Sequence, residues 1–115
     1  MTVRELNAII GATALTGENG LDNEIKCGYS CDLLSWVMAH GSEGMAWVTV
    51  QTHMNVVAVA TLHDMACVII PENAQMDEEV FAKAAEEGIA VLASAKSAYE
   101  IGGQMYAAGI PAGEE

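Results

Sequence analysis

The sequence predicts a three-layer α/β domain, with a mostly parallel sheet flanked by helices and residues 1–115 forming a single unit. Three observations carry this prediction. Short apolar runs at 45–51, 66–70 and 89–93 alternate with segments of helical patterning, as parallel strands joined by crossover helices do. Gly, Pro or clusters of capping residues bound these runs. Apolar residues make up 52% of the 115, enough for one core and too many for a disordered chain.

The elements follow in order. Thr2 can cap a first helix whose apolar positions Leu6, Ile9 and Ile10 have helical spacing, and Gly11 ends it. A short strand over 12–15 runs into the turn residues Thr16-Gly17-Glu18-Asn19-Gly20, and a second strand covers 24–29. Ser30-Cys31-Asp32 breaks that strand, and Asp32 or Ser30 is expected to cap a helix over 33–39. After the loop 41–44 comes the buried strand 45–51, then Thr52-His53-Met54-Asn55 and the apolar run 56–62. The valines of that run suit a strand, so its assignment as a helix rests on position: a crossover is needed before the next strand, 66–70.

Pro71 stops the strand 66–70, and Asp77 is placed to cap a helix with Glu78 and Glu79 in its favourable first turn. Val80, Phe81, Ala84 and Ala85 form its apolar face, and Glu79 with Lys83 makes an i,i+4 pair. Gly88 closes that helix, 89–93 is a strand, and 95–108 is the last helix. In it Ala98, Gly102 and Gly103 permit close packing on a neighbour. Residues 111–115 read as a frayed tail.

Charge excludes several functions. Sixteen Asp and Glu oppose four Lys and Arg, a net charge of −12. Arg4, Lys26, Lys83 and Lys96 are scattered and form no basic stripe, which argues against nucleic acid and against an anionic membrane surface. No apolar run approaches the roughly 18 residues of a membrane span. The start MTVRELNAII lacks the pattern of a signal peptide, so a cytoplasmic location with reduced thiols at Cys27, Cys31 and Cys67 is the default expectation.

Chemistry is expected beyond the carboxyl ends of the strands, where open α/β sheets bind ligands. Two such ends are polar and lead into helix starts that favour anions: Tyr29-Ser30-Cys31-Asp32 and Gln51-Thr52-His53-Met54-Asn55. The candidate ligand-binding residues are Ser30, Asp32, Gln51, Thr52, His53 and Asn55. Ser, Asp and Asn also cap helices in any protein, whereas Gln51-Thr52-His53 interrupts an apolar segment with three polar residues in a row. His53 can serve as a base, a donor to phosphate or a structural group.

Cys27 and Cys31 are four apart, which is not C-x-x-C spacing, and Cys67 sits in an apolar strand as a small buried residue. Cys31, near a helix start, is the thiol placed for reactivity. No metal site, no phosphate-binding glycine motif and no nucleophile elbow is present, and Glu78, Glu79, Glu86 and Glu87 read as a solvated helix face. No catalytic residue is assigned, and the cofactor, if any, is unknown from the residues.

The stretches GYSCDLLSWVMAHGSEGMAWVTVQTHMNVVAVATLHDMACVII and EEGIAVLASAKSAYEIGGQMY resemble the DRTGG domain family, with 28–38 and 48–60 the best-matching blocks. The resemblance implies an α/β domain related to the N-terminal domain of phosphocarrier-protein kinase/phosphorylase. Such domains occur in the regulatory insert of CBS-domain pyrophosphatases, and alone beside iron-only hydrogenase components. It implies no catalysis, a regulatory role and recurrent dimerisation. Gln51-Thr52-His53 stands where longer members carry the Gly-Asp-Arg part, and Pro71-Glu72-Asn73 where they carry Thr-Gly-Gly.

The combined expectation is a non-catalytic regulatory or ligand-sensing module for an adenine nucleotide or small phosphorylated metabolite. The alternative is a protein-interaction scaffold or assembly partner of a hydrogenase-type redox complex. Self-association as a homodimer is also expected, because Trp36, Met38, Tyr99, Tyr106 and the run 56–62 are more apolar surface than so short a chain readily hides.

Overall fold

In a computed structural model that describes residues 1–113, alternate side chains of each central strand fall into two separate cores, as strand geometry requires. The elements are α1 (Val3–Ile10), β1 (Thr13–Ala14), β2 (Cys27–Ser30), α2 (Leu34–His40), β3 (Met45–Val48), α3 (Met54–His63), β4 (Cys67–Ile70), α4 (Glu78–Glu86), β5 (Ala90–Ala93) and α5 (Ala98–Ala107). This is the expected order. The strands lie β1-β5-β4-β3-β2, with β2 to β5 parallel and β1 antiparallel on β5.

Met45, Trp47, Val68, Ile70 and Val91 point to one face, where Val37 of α2, Val56 and Ala60 of α3, and Val80 and Ala84 of α4 cover them. Ala46, Val48, Cys67, Ile69 and Leu92 point to the other, under Val3, Leu6 and Ile10 of α1 and Ile101 and Met105 of α5. All four residues of β3 and of β4 are buried, because helices cover both faces of the sheet. The three-layer α/β architecture is therefore as expected.

Several local expectations are corrected. Thr2 caps α1 as read, in a capping box with Glu5, but the N-cap of α2 is Leu33 and it has no side-chain cap from Ser30 or Asp32. The second strand begins at Cys27, since the preceding residues pair with the N-terminus through Ile25 N–H to Met1 O at 2.8 Å. Asp77 occupies the N-cap of α4 without a capping bond, and Lys83 pairs with Glu87 at 3.1 Å instead of Glu79.

Among the described residues nothing lies within 4 Å of a methyl group at Gly102 or Gly103, so the close neighbour expected of them is not found there. The tail is not frayed over 111–113: Gly28 N–H donates to Pro111 O at 2.9 Å and Ala112 bridges β2 in parallel. The remainder of that expectation, 114–115, lies outside the described residues.

Candidate functional site

Loops leave the carboxyl ends of β2, β3, β4 and β5 along one edge of the sheet. Asp32 ties the first two together. Its Oδ1 accepts from Thr49 Oγ1 at 2.8 Å and from Val50 N–H at 2.9 Å. Thr49 Oγ1 in turn accepts from Gln51 N–H at 3.1 Å, which turns the chain out of the sheet and ends β3 at Val48 rather than at 51. The Gln51 side-chain amide donates to Asp32 O at 3.1 Å, and Trp47 Nε1 donates to Cys31 O at 2.9 Å.

His53 is the N-cap of α3. Its Nδ1 accepts from Asn55 N–H at 3.3 Å, so a neutral ring carries its hydrogen on Nε2. The Asn55 and Val56 N–H groups of the first turn of α3 are satisfied by His53, through Nδ1 and its carbonyl O. The cap expected of Asn55 is supplied by His53, and Asn55 contributes only its backbone.

Because β3 and β4 are adjacent, the loop after β3 meets the start of α4. A depression of about 400 Å³ opens there, lined by Gln51, Thr52, His53 and Met54 on one side and by Asp77, Glu79 and Val80 on the other. Of the six candidates, Gln51, Thr52 and His53 share this depression and Asp32 braces it from behind. Ser30 lies in a groove with α5 and Asn55 in a groove against α2, so neither lines this depression.

Asp77 and Glu79 were legible only as a helix start. The signal that they belong to the site is topological, since the loops after neighbouring parallel strands are neighbours.

The chain leaves β4 for one face of the sheet and β5 for the other, the divide at which a binding crevice opens in doubly wound sheets. Here main-chain bonds close it: Glu72 N–H to Lys96 O at 2.8 Å and Asn73 N–H to Ser94 O at 3.0 Å. Glu72 and Asn73 have φ of 57° and 56°, the left-handed region that favours glycine, and they stand where the resembled family carries its two glycines. Asn adopts that conformation more readily than Glu, whose Cβ is strained there. Glu72→Gly is therefore expected to raise stability by about 1 kcal/mol, read as a higher urea midpoint with an unchanged slope.

Among the described residues the His53 ring hydrogen-bonds only the Asn55 amide, and no group of three metal-ligating side chains occurs. Cys67 is fully buried, and burial pushes its thiol up to about 12, leaving it protonated and inert at neutral pH. Cys27 is buried beside Ser42 Oγ at 3.4 Å, and Cys31 is half-buried with Sγ 3.9 Å from Leu33 O. Arg4, Lys26 and Lys83 are held in salt bridges with carboxylates, whereas Lys96 meets the neutral Gln104 Oε1 at 3.1 Å. No described helix is long and apolar enough to cross a membrane.

No family model and no curated protein matches the sequence. Among solved structures, the chain is similar to the CBS and DRTGG domains of the regulatory region of Clostridium perfringens pyrophosphatase, which was solved in complex with its activator, diadenosine tetraphosphate. The TM-score is 0.68 at 11% identity, and the match covers 90% of this chain and 45% of that one, so this chain spans under half its length. That likeness shows the fold, and at the level of fold it agrees with the resemblance to the DRTGG domain family.

Proposed function

We propose that this chain is a non-catalytic regulatory module that senses a small ligand at the carboxyl edge of its sheet, an adenine nucleotide or another small phosphorylated metabolite. The observation that carries the reading is the depression between the first turns of α3 and α4. There the His53 Nε2–H, the Thr52 hydroxyl and the Met54 N–H at the start of α3 are donors to a phosphate, and Asp77 and Glu79 are acceptors for sugar hydroxyls. The positive ends of both helix dipoles offset the two carboxylates for a phosphate oxygen. Support also comes from the activator-bound regulatory region that shares the fold. The module works as a soluble protein in a reducing cytoplasm. It pairs with a second copy through α5, where Tyr99 (92% exposed) and Tyr106 (79% exposed) flank the open Gly102 and Gly103.

A thermal-shift screen across nucleotides and phosphorylated metabolites tests the ligand. A true ligand at a hundred times its Kd adds about 2.7 kcal/mol, a rise of about 10 °C in a domain of this size. His53→Ala is expected to remove that rise. The second reading, a ligand-free scaffold, is favoured by the exposed Leu33, Trp36, Leu62 and Tyr99, and it expects no compound to move the melting temperature.

A further inference from the structure

Of the five asparagines in the chain, only Asn19 is followed by glycine. It stands exposed in the 16–20 turn, and its Nδ2 makes one long contact, with Thr16 O at 3.3 Å. The main-chain N–H groups around it are engaged: Asn19 N–H donates to Thr16 O at 3.3 Å, Leu21 N–H to Glu18 O at 3.3 Å and Asn23 N–H to Gly20 O at 3.1 Å. Among the described residues the Gly20 N–H has no hydrogen-bond partner. Glycine also has no side chain to shield that nitrogen. The other asparagines are held differently. Asn7 and Asn55 lie in α1 and α3, where the main chain is fixed. Asn23 Nδ2 donates to Ala66 O at 3.0 Å and to Gly88 O at 2.7 Å, and the Ala74 N–H that follows Asn73 donates to Pro71 O at 3.1 Å.

We propose that the Asn19–Gly20 bond is a site of spontaneous deamidation, and that its isoaspartyl product frees the turn from β5. Asparagine is among the thermolabile residues, and here its amide carbon sits beside an unbonded main-chain nitrogen. Hydroxide takes the proton of the Gly20 N–H, and the nitrogen then bonds to Asn19 Cγ. The Cγ–Nδ2 bond breaks, and Nδ2 leaves as ammonia with a proton from water, which restores the hydroxide and leaves a cyclic imide. Water opens the imide at either carbonyl, to aspartate or to isoaspartate. In the isoaspartyl product the main chain runs through Cβ and Cγ of residue 19 and is longer by that carbon. Gly20 has no room for the added length: it has φ +81°, and even a methyl group there meets Ala90 N at 2.6 Å. The displacement falls on Thr16, whose hydroxyl ties the turn together by donating to Asn19 O at 3.2 Å and holds β5 by accepting from Val91 N–H at 3.2 Å. The turn packs on the amino end of β5, so this chemistry needs no ligand at the carboxyl edge.

The test incubates the full chain in mildly alkaline buffer at physiological temperature. Mass spectrometry with electron-transfer fragmentation then locates each converted asparagine and distinguishes isoaspartate from aspartate. Conversion is expected at Asn19 before any other asparagine, with isoaspartate among the products. Its rate is expected to rise about tenfold per pH unit, as loss of a proton from a weakly acidic N–H requires. The isoaspartyl protein is expected to melt at least about 4 °C below the parent. Asn19→Asp adds the same charge without lengthening the main chain, and is expected to melt within about 2 °C of the parent. Conversion first at another asparagine overturns the proposal. So does an Asn19 that is still an amide after the urea-unfolded chain has converted there, since the turn then protects it. An isoaspartyl form that melts with Asn19→Asp overturns the release of the turn.

Discussion

Gly20→Ala is expected to destabilise the protein by about 3 kcal/mol, combining backbone strain with overpacking. Gly20 has φ +81°, and a methyl group there meets Ala90 N at 2.6 Å, Gly88 O at 3.0 Å and Ala90 Cα at 3.1 Å. All three are backbone atoms at the start of β5, so no side chain can swing aside. Relief requires moving either the 16–20 turn or a buried strand. Thr16 makes the turn costly to move, because its hydroxyl accepts from Val91 N–H at 3.2 Å and donates to Asn19 O at 3.2 Å. Against a usual stability of about 5–15 kcal/mol, such a loss lowers the melting temperature by about 12 °C. Gly11 is the control. It also has positive φ (64°), but nothing lies within 4 Å of the added methyl, so Gly11→Ala pays the strain alone.

Trp47→Ala has the larger expected cost, about 4 kcal/mol or more. Trp47 is completely buried on β3, inside the sheet, and is the largest fully buried side chain. Removal leaves a cavity that the surrounding Val and Met residues fill only partly, a loss of about 3–5 kcal/mol. It also orphans Cys31 O, which accepts the indole N–H at 2.9 Å. Trp47→Phe separates the two effects, because it keeps most of the volume and loses the hydrogen bond, for about 1–2 kcal/mol. Urea unfolding of the three proteins side by side gives the ranking, with Phe intermediate. A Phe variant as unstable as the Ala variant would mean that the indole N–H, and not packing, dominates.

Much of this fold was legible because its central strands are apolar on both faces and its punctuation is local. Pro71, Gly88 and the Thr2 cap each act within a few residues and mark the end of β4, the end of α4 and the start of α1, whereas α3 follows from the crossover its flanking strands need. What was not legible depends on residues distant in sequence. Asp32 reads as a helix cap, yet its carboxylate is consumed by Thr49 and Val50, across the β2–β3 pair. The same bonds shorten β3, so the strand end was misplaced for one physical reason. The tail reads as frayed from its Gly, Pro and Glu content, but Gly28 has no side chain and lets 110–112 approach the sheet edge.

The candidate site divides in the same way. Gln51-Thr52-His53 stands out as a polar interruption of an apolar segment, and the three residues do lie together. Ser30 and Asn55 share with them only closeness to strand ends, which says nothing of the face of the sheet a side chain takes. Asp77 and Glu79 became part of the depression only through the adjacency of β3 and β4. That adjacency is a property of the sheet and not of the segment.

Amide-resolved NMR titration with the best compound from the thermal-shift screen probes the ligand site proposed at the carboxyl edge. Saturable shifts are expected at 51–54 and 77–79, with little change along the α5 groove. In the His53→Ala protein those shifts are expected to require at least about tenfold more ligand, the equivalent of 1.4 kcal/mol. Shifts centred on Ser30, Tyr99 and Tyr106 instead, or an affinity indifferent to His53→Ala, would place the ligand away from the α3–α4 depression.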